Sequence, residues 1–198
     1  MRPPTAWRAF DLLVAGAALA LSAPLLAVAM FAVRLESRGG SLYRQRRIGL
    51  DGRAFDVLKL RTMVAGAETM GRGLAVDTGD ARITHVGALL RRFSIDELPN
   101  LVNVLRGEMA VIGPRPTVPV QVERYTERER GRLAVKPGLT GWAQVHGRAS
   151  LPWAQRIELD LWWLEHRTLR TDLTILRRTL SIVLGGDGLY RGETGGWR

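Results

Sequence analysis

The spacing of hydrophobic positions divides the chain into three regimes. The first is continuous: residues 12–33, "LLVAGAALALSAPLLAVAMFAV", carry no charge and lie between Asp11 and Arg34. A run of about 22 residues is long enough to cross a bilayer as one straight helix. The second is an alternation. In "AFDVLKLRTM" (residues 54–63) Phe55, Val57, Lys59 and Arg61 fall on one face of a predicted strand, and Leu58 and Leu60 on the other. The third has helical spacing. Residues 82–92 read as a helix leading into an acidic pair, residues 98–105 as a short apolar helix, and "WAQRIELDLWWLEHRTLRTDLTILRRTLSIVL" as a helical C-terminal region. In that last region Leu159, Trp162 and Trp163 beside Arg156, Arg167 and Arg170 suit a helix lying in a membrane interface. Leu173, Leu176 and Leu180 suit a core-facing amphipathic helix equally well.

Within the apolar run, Ser22-Ala23-Pro24 changes the picture. Proline lacks an N–H and clashes with the preceding turn, so a break or kink is expected there. The two parts, about twelve and nine residues, reach only about 18 and 14 Å at 1.5 Å per residue. Neither part crosses a hydrocarbon core of about 30 Å. A cleaved signal peptide fits poorly, because the run exceeds the usual apolar region and no cysteine follows. A spanning helix kinked at Pro24 and a re-entrant helix that bends and returns to the same face both remain open. For the second, Ser22 would satisfy freed carbonyls. Arg2 and Arg8 before the run, with Arg34 and Arg38 after it, would place both ends on the cytoplasmic side.

The remaining residues, from about position 36, show no repeats and no low-complexity tracts. A chain of 198 residues accommodates one ordinary domain with an appendage. Its 46% hydrophobic and 24% charged residues are those of a folded protein and exclude a disordered one. The absence of cysteine excludes disulfides and thiolate metal sites. A net charge of +10 points to a polyanionic partner: nucleic acid, an anionic membrane surface or a phosphorylated substrate. Nearly all of the cations are arginines, so the two lysines, Lys59 and Lys136, stand out.

Against that basic background, "RRFSIDELPNLVNVLRGEMAVIGPRP" (residues 91–116) sets Asp96 and Glu97 side by side. Ser94-Ile95-Asp96-Glu97 matches a helix capping box. Pro99 argues against that assignment, since its ring would lie beyond the first helical turn. Adjacent residues on a helix diverge by about 100°, so both carboxylates can face one point only where the backbone is irregular. Two acids in one place call for a cation, either Mg²⁺ or several arginines. Basic partners are near in sequence: Arg91, Arg92, Arg106 and Arg115. Prolines on both sides of Arg115 restrict its backbone and pre-organise it for phosphate recognition. Lys59 and Arg61, about 7 Å apart along one strand face, suit a diphosphate, although a charged strand edge that discourages aggregation is the simpler alternative. "KPGLTGWAQVHGR" (residues 136–148) is a glycine-rich loop with cations at both ends, yet it matches no standard nucleotide-binding pattern. His146 is expected to serve in packing or hydrogen bonding.

Taken together, the proline-interrupted apolar helix, "QRRIGLDGRAFDVLKLRTM", "RITHVGALLRRFSIDELPNLVNVLRGEMAVIGPRP", "KPGLTGWAQVHGR" and "ELDLWWLE" resemble the bacterial sugar transferases of the monotopic polyprenyl-phosphate phosphoglycosyl transferase family, in its minimal catalytic form. The resemblance implies an α+β, mainly helical fold. Residues 1–36 would form a re-entrant membrane helix (helix–break–helix at Ser22 and Pro24). Residues 37–198 would form a compact membrane-apposed catalytic domain with interfacial amphipathic helices and a small sheet. It implies an enzyme at the cytoplasmic face of the bacterial inner membrane that takes a UDP-sugar and polyprenyl phosphate. Asp96 would attack the β-phosphate, release UMP and hold the phosphosugar covalently, with Glu97 as its partner at Mg²⁺ or at a proton. Lys59, Arg61, Arg91, Arg115 and Arg148 would serve the phosphates and the nucleotide, and anionic lipids the basic surface. The chain departs from the family pattern in "GGSLYRQRRIG", in His146 and in "EHRTLRTD", segments expected to bear on substrate choice. A nucleic-acid-binding module is the rival class, and the acidic pair amid the cations speaks against it.

Overall fold

The computed structural model describes residues 5–70, 79–147 and 151–185. Helix α1 (Thr5–Glu36) takes up the whole apolar run, with Pro24 inside it. The expected helix–break–helix is thus a single helical element. A mid-helix proline costs one backbone bond and a ring clash, and both can be accommodated locally without ending the helix. Here Leu21, Ala23, Pro24 and Leu25 are all exposed, so the ring meets no packed neighbour. Ser22 Oγ donates to Leu19 O at 3.4 Å, one residue away from the Ala20 carbonyl that Pro24 leaves without its usual helical donor.

Two parts of α1 pack on the rest of the chain. Ala15 sits in the central core with Phe55, Val57, Leu101, Met109 and Trp163, while Ala29 and Val33 pack with Leu60 and Leu90. Polar contacts fix both ends. Arg8 donates to Val104 O and Leu105 O at 2.7 and 2.9 Å, Asp11 Oδ1 accepts from Val111 N at 2.9 Å, and Glu36 accepts from Val86 N. The outward stripe is apolar: Leu13, Leu21, Val28 and Phe31 are 65–84% exposed.

Strands β1 (Leu42–Ile48) and β2 (Ala54–Leu60) form an antiparallel hairpin with Tyr43 opposite Lys59 and Ile48 opposite Ala54. Its turn puts Asp51 and Gly52 at φ 54° and 75°, the left-handed pair that tight hairpins favour. Helix α2 (His85–Arg92) is capped by Thr84, whose Oγ1 accepts from Gly87 N. Helix α3 (Asn100–Arg106) follows the acidic pair, and its last carbonyls are those held by Arg8. Asn103, fully buried, stitches α3 to β2: Oδ1 accepts from Leu58 N, and Nδ2 donates to Asp56 O.

Strand β3 (Ala110–Ile112) pairs in parallel with β4 (Gly138–Thr140). Beyond β3 the two backbones touch. A Cβ on Gly138 would lie 2.1 Å from Gly113 N, and one on Gly113 would lie 2.5 Å from Lys136 O. Close approach, not phosphate cradling, therefore explains these two glycines. The short helices α4 (Pro119–Val122) and α5 (Glu127–Arg130) precede β4, and α6 (Trp142–Val145) follows it.

The C-terminal region divides into α7 (Trp153–Glu165) and α8 (Leu169–Gly185). Trp163, 1% exposed, is a core residue whose Nε1 donates to Asp172 Oδ1 at 2.9 Å, whereas Trp162 is 39% exposed. On α8, Ile175 is fully buried and Leu176 packs against the core. Leu169, Leu173, Leu180 and Leu184 face outward, so the core-facing reading of Leu173 and Leu180 does not hold.

Candidate active site

Asp96 and Glu97 lie on a single 3₁₀ turn (Ile95–Glu97) between α2 and α3. Ser94, just before it, has φ 56° and makes no side-chain cap bond, which rules out the capping box. A left-handed non-glycine residue is costly. Here it supplies the backbone irregularity that lets two consecutive carboxylates share one basic neighbourhood.

The two carboxylates are held in opposite ways. Lys59 Nζ and Arg115 Nη2 each donate to Glu97 Oε1 at 2.7 Å, and Arg115 Nη1 reaches Oε2 at 3.4 Å. Burial alone would raise the Glu97 pKa, but Arg115 and Lys59 outweigh it and hold the group well below the ordinary carboxylate range. Asp96 is 3% exposed, and its Oδ1 is buried without a hydrogen-bond partner among the described residues. Burial, then the charge of Glu97, pushes its pKa up to about 6, against the pull of Lys59, Arg91 and Arg115. Burial also lowers the pKa of Lys59, with Glu97 acting in the opposite sense. The arrangement is one pinned, ionised acid beside one poised, under-bonded acid.

The expected cations fare differently. Lys59 and Arg115 converge on Glu97. Arg91 has buried guanidinium nitrogens and acts on Asp96 through its charge. Arg61 is a correction: β2 ends at Leu60, and its guanidinium turns to Ser37 O, Ser37 Oγ and Arg38 O at the end of α1. Unbonded carbonyls at a helix C-terminus attract a cation, so the diphosphate pairing with Lys59 is not formed. Arg148 lies outside the described residues. His146 Nδ1 bonds Trp142 O at 2.8 Å, the packing role expected of it.

Behind Arg115 lies a network that the sequence alone does not single out. Arg132, 4% exposed, donates to Asp160 Oδ2 through Nε (3.0 Å) and Nη2 (2.5 Å), and also to Thr117 Oγ1, Tyr125 OH and Arg115 O. Arg47 donates to Pro116 O at 3.1 Å; burial, then Arg115, lowers its pKa to about 10. Pro114 O accepts from Gly138 N, and Thr117 O from Ile48 N. Four consecutive carbonyls, 114–117, are therefore held, and the Arg115 side chain is aimed at Glu97. A cavity of about 240 Å³ opens beside this pair, lined by Glu97, Arg115, Leu101, Leu139, Gln144 and Arg156 among others.

Among the described residues no cluster of three His, Cys, Asp or Glu side chains could hold a metal. Mg²⁺ needs no such cage, because it commonly binds one or two carboxylates together with substrate phosphates. The under-bonded Asp96 Oδ1 fits that role, whereas both oxygens of Glu97 are already engaged by cations.

The site is thus a buried acidic pair held by lysine and arginine, on residues packed against a helix long and apolar enough to cross a membrane. The profile of the bacterial sugar transferase family matches residues 4–186, and the chain belongs to that family. It is 38% identical to the "uncharacterized sugar transferase EpsL" of Bacillus subtilis, covering 93% of this chain and 90% of that one. It is 43% identical to a "UDP-glucose:undecaprenyl-phosphate glucose-1-phosphate transferase" of Caulobacter vibrioides, covering 92% and 71%. An "uncharacterized sugar transferase" of Haemophilus influenzae is 38% identical, and the chain spans 42% of its length.

Proposed function

We propose that the protein transfers a sugar 1-phosphate from a UDP-sugar to polyprenyl phosphate, starting a lipid-linked glycan. The observation that carries this reading is the buried, under-bonded Asp96 carboxylate beside a Glu97 pinned by Lys59 and Arg115. The Caulobacter relative is named for UDP-glucose and undecaprenyl phosphate, and a Salmonella typhimurium relative, 34% identical, for undecaprenyl-phosphate galactose transfer. Both names support the polyprenyl-phosphate acceptor, and the first also supports a UDP-sugar donor.

In the first step an Asp96 oxygen attacks the β-phosphorus, and the bond from that phosphorus to the bridging oxygen breaks. UMP leaves with the bridging oxygen, and the phosphosugar remains on Asp96 as an acyl phosphate. In the second step a phosphate oxygen of the polyprenyl phosphate attacks the same phosphorus and frees the Asp96 carboxylate. Arg115 and Lys59 offset the charge that accumulates on the transferring phosphate, and Glu97 keeps both cations in place. Asp96 would hold Mg²⁺, which when bound supplies further neutralisation of phosphate charge. Release of UMP from UDP-sugars by purified protein with added polyprenyl phosphate tests the reading. No release from any UDP-sugar would overturn it, and release surviving excess EDTA would remove the metal.

For topology we favour the re-entrant seating at the cytoplasmic face. Arg8 and Glu36, at opposite ends of α1, both bond to the same domain, and the exposed stripe of Leu13, Leu21, Val28 and Phe31 lies between them. A helix crossing the bilayer would carry one of those ends, and the domain residues bonded to it, through the hydrocarbon core.

A further inference from the structure

Gln144, on α6, is 8% exposed and lines the cavity that opens beside Glu97 and Arg115. Its amide orientation is fixed, because Nε2 donates to Leu139 O at 3.0 Å. The flipped amide would set two oxygens against each other. Oε1 is consequently an acceptor, and it is buried with no hydrogen-bond partner among the described residues. Leaving a buried acceptor unpaired is costly, and each such group in a folded protein calls for an explanation. At Gly141 a Cβ would lie 2.2 Å from Gly113 O and 2.7 Å from Oε1, so the close approach of the Gly113 backbone leaves no room for a side chain beside that oxygen.

The cavity, at about 240 Å³, is smaller than the 300–1,000 Å³ or so of a whole ligand site. It therefore takes one part of a substrate whose reacting phosphate sits at Arg115. We propose that Gln144 reads the donor substrate, with Oε1 accepting a hydrogen bond from an N–H or O–H on the part of the UDP-sugar that enters this cavity. This inference rests on the proposed donor class. Two kinds of group on such a donor carry the required hydrogen: the imide N3–H of uracil and a hydroxyl, on the ribose or on the transferred sugar. At N3 cytosine offers only an acceptor, so a base read there by Oε1 would be uracil and not cytosine.

The test uses the full chain in lipid nanodiscs, with wild-type UMP release as its control. UMP, CMP, 3-methyl-UMP and the UDP-sugar are compared on wild type and on Gln144→Met, which keeps length and loses the acceptor. If the base is read, wild type binds UMP about 10- to 100-fold more tightly than 3-methyl-UMP or CMP, and Gln144→Met abolishes the difference. If a hydroxyl is read, the KM for the UDP-sugar rises by a similar factor in Gln144→Met, with UMP binding unchanged for the transferred sugar and weakened without discrimination at N3 for the ribose. Either result supports the proposal and identifies the donor group. The methylated nucleotide probes wild type directly, so a poorly folded variant does not blunt the base arm; for the sugar arm, deoxy-sugar donors on wild type serve the same purpose. Indifference of wild type to N3 methylation and to every missing sugar hydroxyl, together with unchanged UMP affinity and KM in a folded variant, would overturn it. Absence of UMP release by wild type would instead overturn the proposed function.

Discussion

Arg132 Nη2 lies 3.2 Å from the main-chain oxygen of Arg115, while the same guanidinium is paired with the buried carboxylate of Asp160. The ion pair thus holds the backbone of the residue that grips Glu97. A misplacement of about 1 Å at a phosphate-binding group can cost about a hundredfold in rate. Arg132→Lys, which keeps charge and loses the fork, should lower kcat/KM for UMP release about 10- to 100-fold. If the effect runs through Arg115, the same change in an Arg115→Ala background should add less than about twofold. Losses that multiply would show that Arg132 supports the fold alone.

Removing Asp160 is a different experiment. Asp160→Ala leaves a buried guanidinium without its counter-charge, a loss on the order of 3–5 kcal/mol. A melting temperature lowered by about ten degrees is expected for a domain of this size. An unchanged melting temperature would mean that water reaches Arg132, contrary to its 4% exposure.

The acidic pair gives a signed pH dependence. Asp96 has a folded pKa of about 6 against an ordinary 3.8. Its contribution therefore favours the fold at low pH and is lost as pH rises through about 6, leaving an ionised penalty of at most ~3 kcal/mol. In chelator, Asp96→Asn should raise the melting temperature by several degrees at pH 8 and by much less at pH 4.5. Wild-type kcat/KM should fall on the acid side as the attacking carboxylate is protonated, at a pH that drops as Mg²⁺ is raised. Equal stabilisation at both pH values would contradict the burial of an ionisable Asp96.

Glu97→Gln follows from the same electrostatics. It removes the charge that raises Asp96 and releases Lys59 and Arg115 from their shared partner. Turnover should drop about 10²- to 10³-fold, and the acidic limb of the residual activity should move to lower pH. Wild-type kinetics in this variant would reduce Glu97 to a packing residue.

Much of this site is legible in the amino-acid sequence. Local signals mark Asp96, Glu97, Lys59, Arg91 and Arg115: adjacent acids, a rare lysine on an alternating strand and an arginine between prolines. Arg61 misleads because period-two alternation places a side chain on a face but does not say where the strand ends. One residue past Leu60, the carbonyls of Ser37 and Arg38 are the nearer partners. Strand β1 escapes a search for apolar alternation, although Asp51-Gly52 is a strong hairpin signal. Arg132, Asp160 and Asn103 carry no local mark. Arg132 is one of 29 basic residues, and what distinguishes it is burial against an acid 28 positions away. Pro24 marks no boundary between two helices, because proline removes a single bond while the rest of α1 keeps its own.

Topology can be read with thiols, since the chain has no cysteine. Thr5→Cys at the first residue of α1 and Arg38→Cys just beyond its last report the two ends, and Arg38 is exposed. An impermeant reagent applied outside intact inner-membrane vesicles of right-side-out orientation should label neither; inverted vesicles should label both. Outside labelling of Thr5→Cys alone would establish a spanning helix. Pro24→Ala restores the missing N–H and should shift a measurable fraction toward that pattern, with lower activity.

The covalent intermediate is the centre of the mechanism, and intact-protein mass spectrometry tests it most directly. Wild-type protein is mixed with an accepted UDP-sugar, without polyprenyl phosphate, and quenched within seconds. The expected result is a mass increase of one sugar phosphate, mapped to the peptide containing Asp96, discharged on adding polyprenyl phosphate and absent from Asp96→Asn. Full turnover by Asp96→Asn, or rapid wild-type turnover with no adduct at any quench time and UMP release strictly dependent on the lipid, would contradict attack by Asp96 and leave direct transfer between the two substrates in its place.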